Sequence, residues 1–227
     1  SSSLASKNAS RSSWRRSSSS VSKLTVSSSL ASKAPRAQRV GVLGLQGDFA
    51  EHIETLREMG VDAVDVRRPE QLDACDALII PGGESTTIGK LAERYGITPK
   101  LRERAAAGMP IWGTCAGAIF LARNVSGHPH PLASLMDITV ERNAFGRQID
   151  SFERDLAIPR LGPAPFHAVF IRAPRIASVG PGVEVLACLD DRSIVAARQG
   201  RLLATSFHPE LTGDHRFHEY FLSLRAA

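Results

Sequence analysis

Ile111-Trp112-Gly113-Thr114-Cys115-Ala116-Gly117-Ala118 places one cysteine between two glycines, where a short apolar run gives way to a string of small apolar residues. Pro110 to Trp112 suits a buried strand, and Ala116 to Ala122 suits a buried helix. A Gly-x-Cys-x-Gly crossing from strand to helix has the form of a nucleophile elbow, a sharp turn that exposes a reactive side chain at the carboxyl end of a central strand. Glycines flank the turn because a Cβ packed against the neighbouring backbone has no room. A helix that begins just after the sulfur offers partial positive charge, which favours thiolate over thiol, and thiolate is the nucleophilic form. The same eight residues read equally well as a core element carrying a small buried cysteine.

Upstream of this turn, strands and helices alternate. Arg39 to Leu45 is an apolar run, Asp48 is placed to cap a helix through His52, Leu56 and Met59, and Gly60 closes it. Val61 to Val66 and Ala77 to Ile80 read as further strands, the latter ending in Pro81-Gly82-Gly83. Ser85 is placed to cap the helix containing Ile88, Leu91 and Ala92, and another helix near Leu101 to Ala107 leads into Pro110. This alternation implies an α/β fold of three layers, a mostly parallel central sheet with helices on both faces. Sites in such sheets lie beyond the carboxyl ends of the strands, where both Gly82-Gly83 and Cys115 fall.

Downstream, Ile138 to Val140, Phe152 to Ile158, Ala168 to Ile171 and Val183 to Leu189 read as strands. Ser193 to Ala197 and Leu202 to Ser206 form a hairpin turning at Gln199-Gly200, and Asp214 is placed to cap an amphipathic helix through Phe217, Tyr220, Phe221 and Leu224. Residues 39–227 thus read as one domain. Residues 1–38 are Ser-rich and carry seven of the 28 Lys and Arg but no Asp or Glu, so they read as a disordered tail with the composition of a tag, a leader or an organelle transit peptide.

Charge and cysteine usage narrow the function classes. Beyond residue 38 the chain has 21 basic against 23 acidic residues, so the high overall pI of about 9.5 belongs to the tail, and the folded part offers no basic face for nucleic acid. Trp14 alone gives the tail no aromatic interleaving. Three cysteines, Cys75, Cys115 and Cys188, form no CxxC pair, which speaks for a reducing compartment. No stretch reaches the ~20 apolar residues a membrane span needs.

A cysteine nucleophile needs a base, and the base needs a group that fixes its tautomer. His208-Pro209-Glu210 follows an apolar run ending at Phe207, and residues two apart on an extended chain project to the same side. Attack on an amide also creates an oxyanion, and Pro81-Gly82-Gly83-Glu84-Ser85 supplies bare backbone N–H groups ahead of a helix.

Gly-Thr-Cys-Ala-Gly, Pro-Gly-Gly-Glu-Ser and His-Pro-Glu, in this order, resemble the class I (triad) glutamine amidotransferases. The resemblance is closer still to the branch that supplies glutaminase subunits of pyridoxal 5′-phosphate synthases. It rests on Gly44-Leu45-Gln46-Gly47 with Glu51-His52, on Pro81 to Thr87, on Val140 to Gln148 with Ser151-Phe152-Glu153, and on Phe170-Ile171-Arg172-Ala173-Pro174. It implies hydrolysis of L-glutamine, with the ammonia passed to a partner synthase subunit in a hetero-oligomer. On that resemblance Cys115 is the nucleophile, His208 the base and acid, and Glu210 the group orienting His208. Gly82, Gly83 and Glu84 bind glutamine and form the oxyanion site, Arg142 holds the substrate, and Ile171 and Arg172 line its pocket. Gln46 senses the partner or supports the oxyanion site. A guanidinium is also, on chemistry alone, the natural bidentate partner of a free carboxylate.

Other residues receive structural readings. Cys188 is expected in the core of its strand and Cys75 ahead of one, His128 and His130 in a flexible loop, and His215 and His218 on a helix face near neither motif. No metal and no cofactor are expected within the chain. The competing readings are a glutaminase of another pathway, of the imidazole glycerol phosphate synthase type, and a catalytically silent regulatory subunit. The expected location is the cytoplasm, with an organelle as the alternative that the tail suggests.

Overall fold

A computed structural model describes residues 39–127, 129–142 and 151–225. The tail 1–38, His128 and the segment 143–148 that carried part of the resemblance lie outside the described residues. In chain order the elements are β1 Arg39–Leu43, α1 Phe49–Glu58, β2 Asp62–Val66, β3 Ala77–Ile80, α2 Ser85–Arg94, α3 Ile97–Ala106, β4 Ile111–Thr114, α4 Ala116–Leu121 and β5 Ala122–Ser126. There follow β6 Met136–Glu141, β7 Ser151–Leu156, β8 Phe166–Ile171, β9 Arg175–Val179, β10 Glu184–Cys188, β11 Ile194–Gln199, β12 Leu202–Thr205 and α5 Arg216–Ser223.

One large sheet runs in the order β2-β1-β3-β4-β12-β11-β9-β6-β5, with β10 on β11, while β7 and β8 form a separate antiparallel ribbon. Its first five strands are parallel throughout. The β11–β12 hairpin reverses the direction, so the far side of the sheet mixes antiparallel pairs with the parallel pair β5–β6. The expected three layers are present, because alternate residues of the central strands feed two separate cores. Leu78, Ile80 and Ile111 pack with Ile88, Leu101 and Ile119 of α2, α3 and α4. Ala77, Ile79, Trp112 and Leu203 pack with Ile53 and Leu56 of α1 and with Phe217 and Phe221 of α5.

Several local expectations are corrected. Strands β5 and β9 were not read in the sequence. Asp48 stands at the start of α1 but its side chain makes no cap hydrogen bond. Glu84, not Ser85, caps α2, its carboxylate accepting from the backbone N–H groups of Thr86 and Thr87; the longer side chain reaches both donors from one position earlier. Asp214 does accept the Arg216 N–H at 3.1 Å, although His215 occupies the boundary position of α5. Cys188 is exposed rather than in the core, because register shifts on either side of Ala187 break the alternation and turn Leu186 and Ala187 inward instead. Cys75 is buried.

Candidate active site

The parallel block delivers three loops to one edge of the sheet: the Gln46–Asp48 turn after β1, the Pro81–Glu84 turn after β3, and the cysteine turn after β4. β4 pairs with both β3 and β12, so Cys115 and the residues after Thr205 emerge side by side. Cys115 N–H donates to the Thr205 carbonyl at 2.8 Å, which ties the turn to β12 directly. Cys115 itself sits at φ 47 and ψ −106, a conformation that a residue with a Cβ adopts only under strain. A Cβ at Gly113 would strike the Gly117 carbonyl, and one at Gly117 would strike the Ile80 carbonyl. The two glycines therefore let the chain fold this tightly, as the elbow reading requires.

His208 follows β12, and its N–H is held by the Val169 carbonyl of β8 at 2.8 Å. The chain does not stay extended here. Pro209–Leu211 is a 3₁₀ turn, and it folds the Glu210 carboxylate back so that Oε1 meets His208 Nδ1 at 2.7 Å. Cys115, His208 and Glu210 are all more than nine-tenths buried. Cys115 is the other group close enough to His208 to raise its pKa. Cys115 Sγ lies 3.9 Å from the Ile171 carbonyl oxygen.

Burial alone would strip the proton from His208, but hydrogen bonds to Cys115 and Glu210, together with the negative charges of both, outweigh it and push its pKa up to about 10. Burial pulls Glu210 the other way, toward protonation. It is overcome by the positive charges of His52 and His208 and by the His208 hydrogen bond, so Glu210 stays ionised. Since burial holds His52 neutral, we assign that stabilisation mainly to His208. The arrangement is a protonated His208 ring set between the Cys115 sulfur and an ionised Glu210 carboxylate. Its proton is expected to persist through neutral pH and to leave as the pH rises through about 10. In Cys115→Ala, with the hydrogen bond and charge of the sulfur gone, it leaves at lower pH. Ring ¹⁵N shifts followed over a pH series test this, and a His208 ring already neutral at neutral pH in the native chain would contradict the ion pair.

The remaining expected site residues are distributed as follows. Gly82 lies against the His208 ring, and its carbonyl accepts the Asp48 N–H at 3.2 Å. Gly83 has φ 146, and Glu84 N–H donates to Gln46 Oε1 at 2.7 Å, so the two loops are laced together. Glu84 hydrogen-bonds Thr86 and Thr87, which outweigh its partial burial and hold its pKa down at about 2. Arg142 lies 3.3 Å from both Glu84 Oε1 and Thr86 Oγ1. Ile171 is at the sulfur through its carbonyl, and Arg172 follows with a left-handed backbone at φ 44 and an exposed side chain.

Two histidines were misjudged or passed over. His218, expected far from either motif, is fully buried with its Nε2 3.1 Å from Nδ1 of His52. His52 Nε2 in turn lies 3.3 Å from both Thr114 Oγ1 and Glu210 Oε2. The signal was helical spacing: His52 precedes Leu56 by four residues and His218 precedes Phe221 by three, so each shares the apolar face of its helix. Asp48 Oδ2 approaches His208 Nδ1 to 3.7 Å, and with Glu210 it forms a group of three donors that could hold a metal. A cation there would compete for the nitrogen that already contacts Glu210, so this donor set fits the relay better than a metal.

Comparison with known proteins places this geometry among relatives. The model of the SNO glutamine amidotransferase family matches residues 42–225. The chain is 63% identical over 188 residues to pyridoxal 5′-phosphate synthase subunit PdxT of Herpetosiphon aurantiacus, covering 82% of this chain and 99% of that one. It is 59% identical to the protein of the same name from Pelotomaculum thermopropionicum, covering 81% and 93%. A crystal structure of a glutamine amidotransferase superposes with TM-score 0.79 at 54% identity, over 83% of this chain and 99% of that one. A chain of the PurLQS structure from Thermotoga maritima shares the fold at TM-score 0.64 and 16% identity, over 82% and 98%.

Proposed function

The chain belongs to the SNO glutamine amidotransferase family, and from that premise we propose that it hydrolyses L-glutamine to L-glutamate and ammonia and hands the ammonia to a synthase subunit that builds pyridoxal 5′-phosphate. The observation that carries the reading is Cys115 on a strained turn beside His208, whose Nδ1 meets the Glu210 carboxylate at 2.7 Å.

In this reading the Cys115 thiolate attacks the carboxamide carbon of glutamine, and His208 gives its proton to the departing nitrogen, so that ammonia leaves and a thioester remains. His208, now neutral, takes a proton from water as that water attacks the thioester, releasing glutamate and restoring the thiolate. Glu210 holds the His208 proton on Nδ1 whenever the ring is neutral, which leaves Nε2 as the working nitrogen. Backbone N–H groups around Gly82 and Gly83 meet the oxyanion. Glu84 and Arg142 bind the amino-acid end of glutamine, and Ile171 and Arg172 border it. Arg142 and Glu84 already form a pair, complementary to a ligand with one carboxylate and one ammonium group.

The names of the relatives describe a subunit of a pyridoxal 5′-phosphate synthase, and this favours that pathway over the imidazole glycerol phosphate synthase type. The partner is then the synthase subunit, in a hetero-oligomer. Because Gly82 and Glu84 are tied to the Gln46–Asp48 turn, a partner that moves this turn would realign the oxyanion donors. Bacterial relatives fit a cytoplasmic site of action, and no helix among the described residues is long and apolar enough to cross a membrane.

The test is glutamate release from L-glutamine by the full chain, alone and with a pyridoxal 5′-phosphate synthase subunit. Release that rises on adding the subunit is expected. Release indifferent to it would keep the chemistry and reassign the pathway, and none in either case, with the subunit bound, would favour a silent regulatory role.

A further inference from the structure

Glu210 holds His208 with one oxygen, and its other oxygen, Oε2, is buried without a hydrogen bond of good geometry. A buried carboxylate oxygen left in that state is free to rotate away from its task or to take up a proton. The nearest donor is His52 Nε2, 3.3 Å away and equally close to Thr114 Oγ1. Behind it, Nδ1 of His52 contacts Nε2 of His218 at 3.1 Å, and both rings are wedged against Trp112. Both side chains are fully buried and neither is used in the chemistry above.

The ionised Glu210 selects one polarity for this chain of rings, since the Thr114 hydroxyl, equally close to His52 Nε2, can donate or accept and follows. Glu210 is ionised and only accepts, so the short approach of His52 Nε2 is favourable only when that nitrogen carries hydrogen. Being neutral, His52 then has a bare lone pair on Nδ1, and His218 must donate to it from Nε2. That leaves His218 Nδ1 as a lone pair, and this atom has no partner. A bare lone pair is less costly to bury than a bare N–H. Every donor and acceptor thus points the same way, from α5 through α1 to Glu210, then to His208 and the nucleophile.

We propose that His52 is a positioning residue for the relay, its Nε2–H holding the Glu210 carboxylate ionised and turned toward His208, and that His218 fixes the tautomer in which His52 can do so. The proposal rests on the Cys115–His208–Glu210 reading. The charged and titratable groups facing these rings are Glu210 and His208 from the turn after β12, Asp48 and Glu51 from the start of α1, and His215 from α5. Burial is the largest influence on both rings. It pushes His52 below its ordinary value, while burial and the neighbouring His52 and His215 hold His218 at about 2, so neither charges across the working pH range.

The first measurement is ring ¹⁵N NMR of the native full chain. His52 and His218 are both expected as neutral Nε2–H tautomers with no titration through neutral pH, and an Nδ1–H or charged His52 would overturn the proposal whatever the activity. The second is kinetic, with the synthase subunit present. His52→Leu removes the donor, and kcat is expected to fall by about 10- to 100-fold with little change in KM for glutamine. Glu210, less stabilised, then protonates at higher pH, so the acidic limb of the kcat profile moves up. His52→Gln, whose amide nitrogen can reach the position of Nε2, restores most of kcat and returns the limb. An unshifted limb in His52→Leu, or a His52→Gln variant as impaired as His52→Leu, would overturn the proposal. If Cys115→Ala retained activity, it is the underlying relay that would fall instead, so the two failures are distinguishable.

Discussion

Replacing Cys115 by alanine is expected to lower glutamine hydrolysis by at least about four orders of magnitude while leaving the fold intact. Alanine keeps the Cβ and therefore the strained φ of the turn, so the elbow is neither relaxed nor newly clashing. Only the sulfur is lost from a site that is already 7% exposed, and a void of that size costs on the order of 1 kcal/mol. Activity, by contrast, has no second route. His208 and the backbone donors remain, but the thioester cannot form, and His208 loses one of the two neighbours that raise its pKa. Glutamate release with the synthase subunit present measures the loss, and a parallel urea titration checks the fold. A variant with native-like unfolding and residual activity within about a hundredfold of the native chain would show that water attacks without covalent help, and that Cys115 is the buried core residue its neighbours also permit.

Much of this was legible in the sequence because it depends on local rules. A strand that ends in Gly-x-Cys-x-Gly has few backbone solutions, and Gly113 and Gly117 are glycines for the reason expected of them: carbonyls occupy the space of their Cβ atoms. The alternation up to β4 likewise showed a parallel sheet. Features set by long-range closure were harder to read. β5 begins at the residue after α4 ends, with no turn signal between them, and β9 is a short strand whose residues alternate only weakly. His208 and Glu210 were paired for an incomplete reason: two residues apart suffices on a strand, but here a 3₁₀ turn started by Pro209 brings them together. His218 was beyond reach by spacing alone, since its partner His52 is 166 residues away and only the wrapping of α1 and α5 around Trp112 joins them.

Glu210→Gln is nearly isosteric, yet it is expected to reduce kcat by about a thousandfold with KM for glutamine little changed. The carboxylate accepts on both sides, from His208 Nδ1 at 2.7 Å and facing His52 Nε2 at 3.3 Å, whereas an amide offers one acceptor and one donor. If its oxygen faces His208, its NH₂ group meets the N–H of His52 in a buried site where neither donor finds water. If the amide turns over, its NH₂ donates to His208 Nδ1, the ring proton moves to Nε2, and the nitrogen that should serve Cys115 is blocked. Either orientation also removes the negative charge that helps keep His208 protonated, so the alkaline limb of the pH profile moves to lower pH. Glu210→Asp keeps the charge and loses one methylene of reach, and it is expected to retain more activity than Glu210→Gln. Steady-state kinetics over a pH series in the presence of the synthase subunit distinguish these outcomes. A glutamine variant within about threefold of the native kcat would mean that the elbow and His208 act without orientation, and that the buried carboxylate serves folding alone.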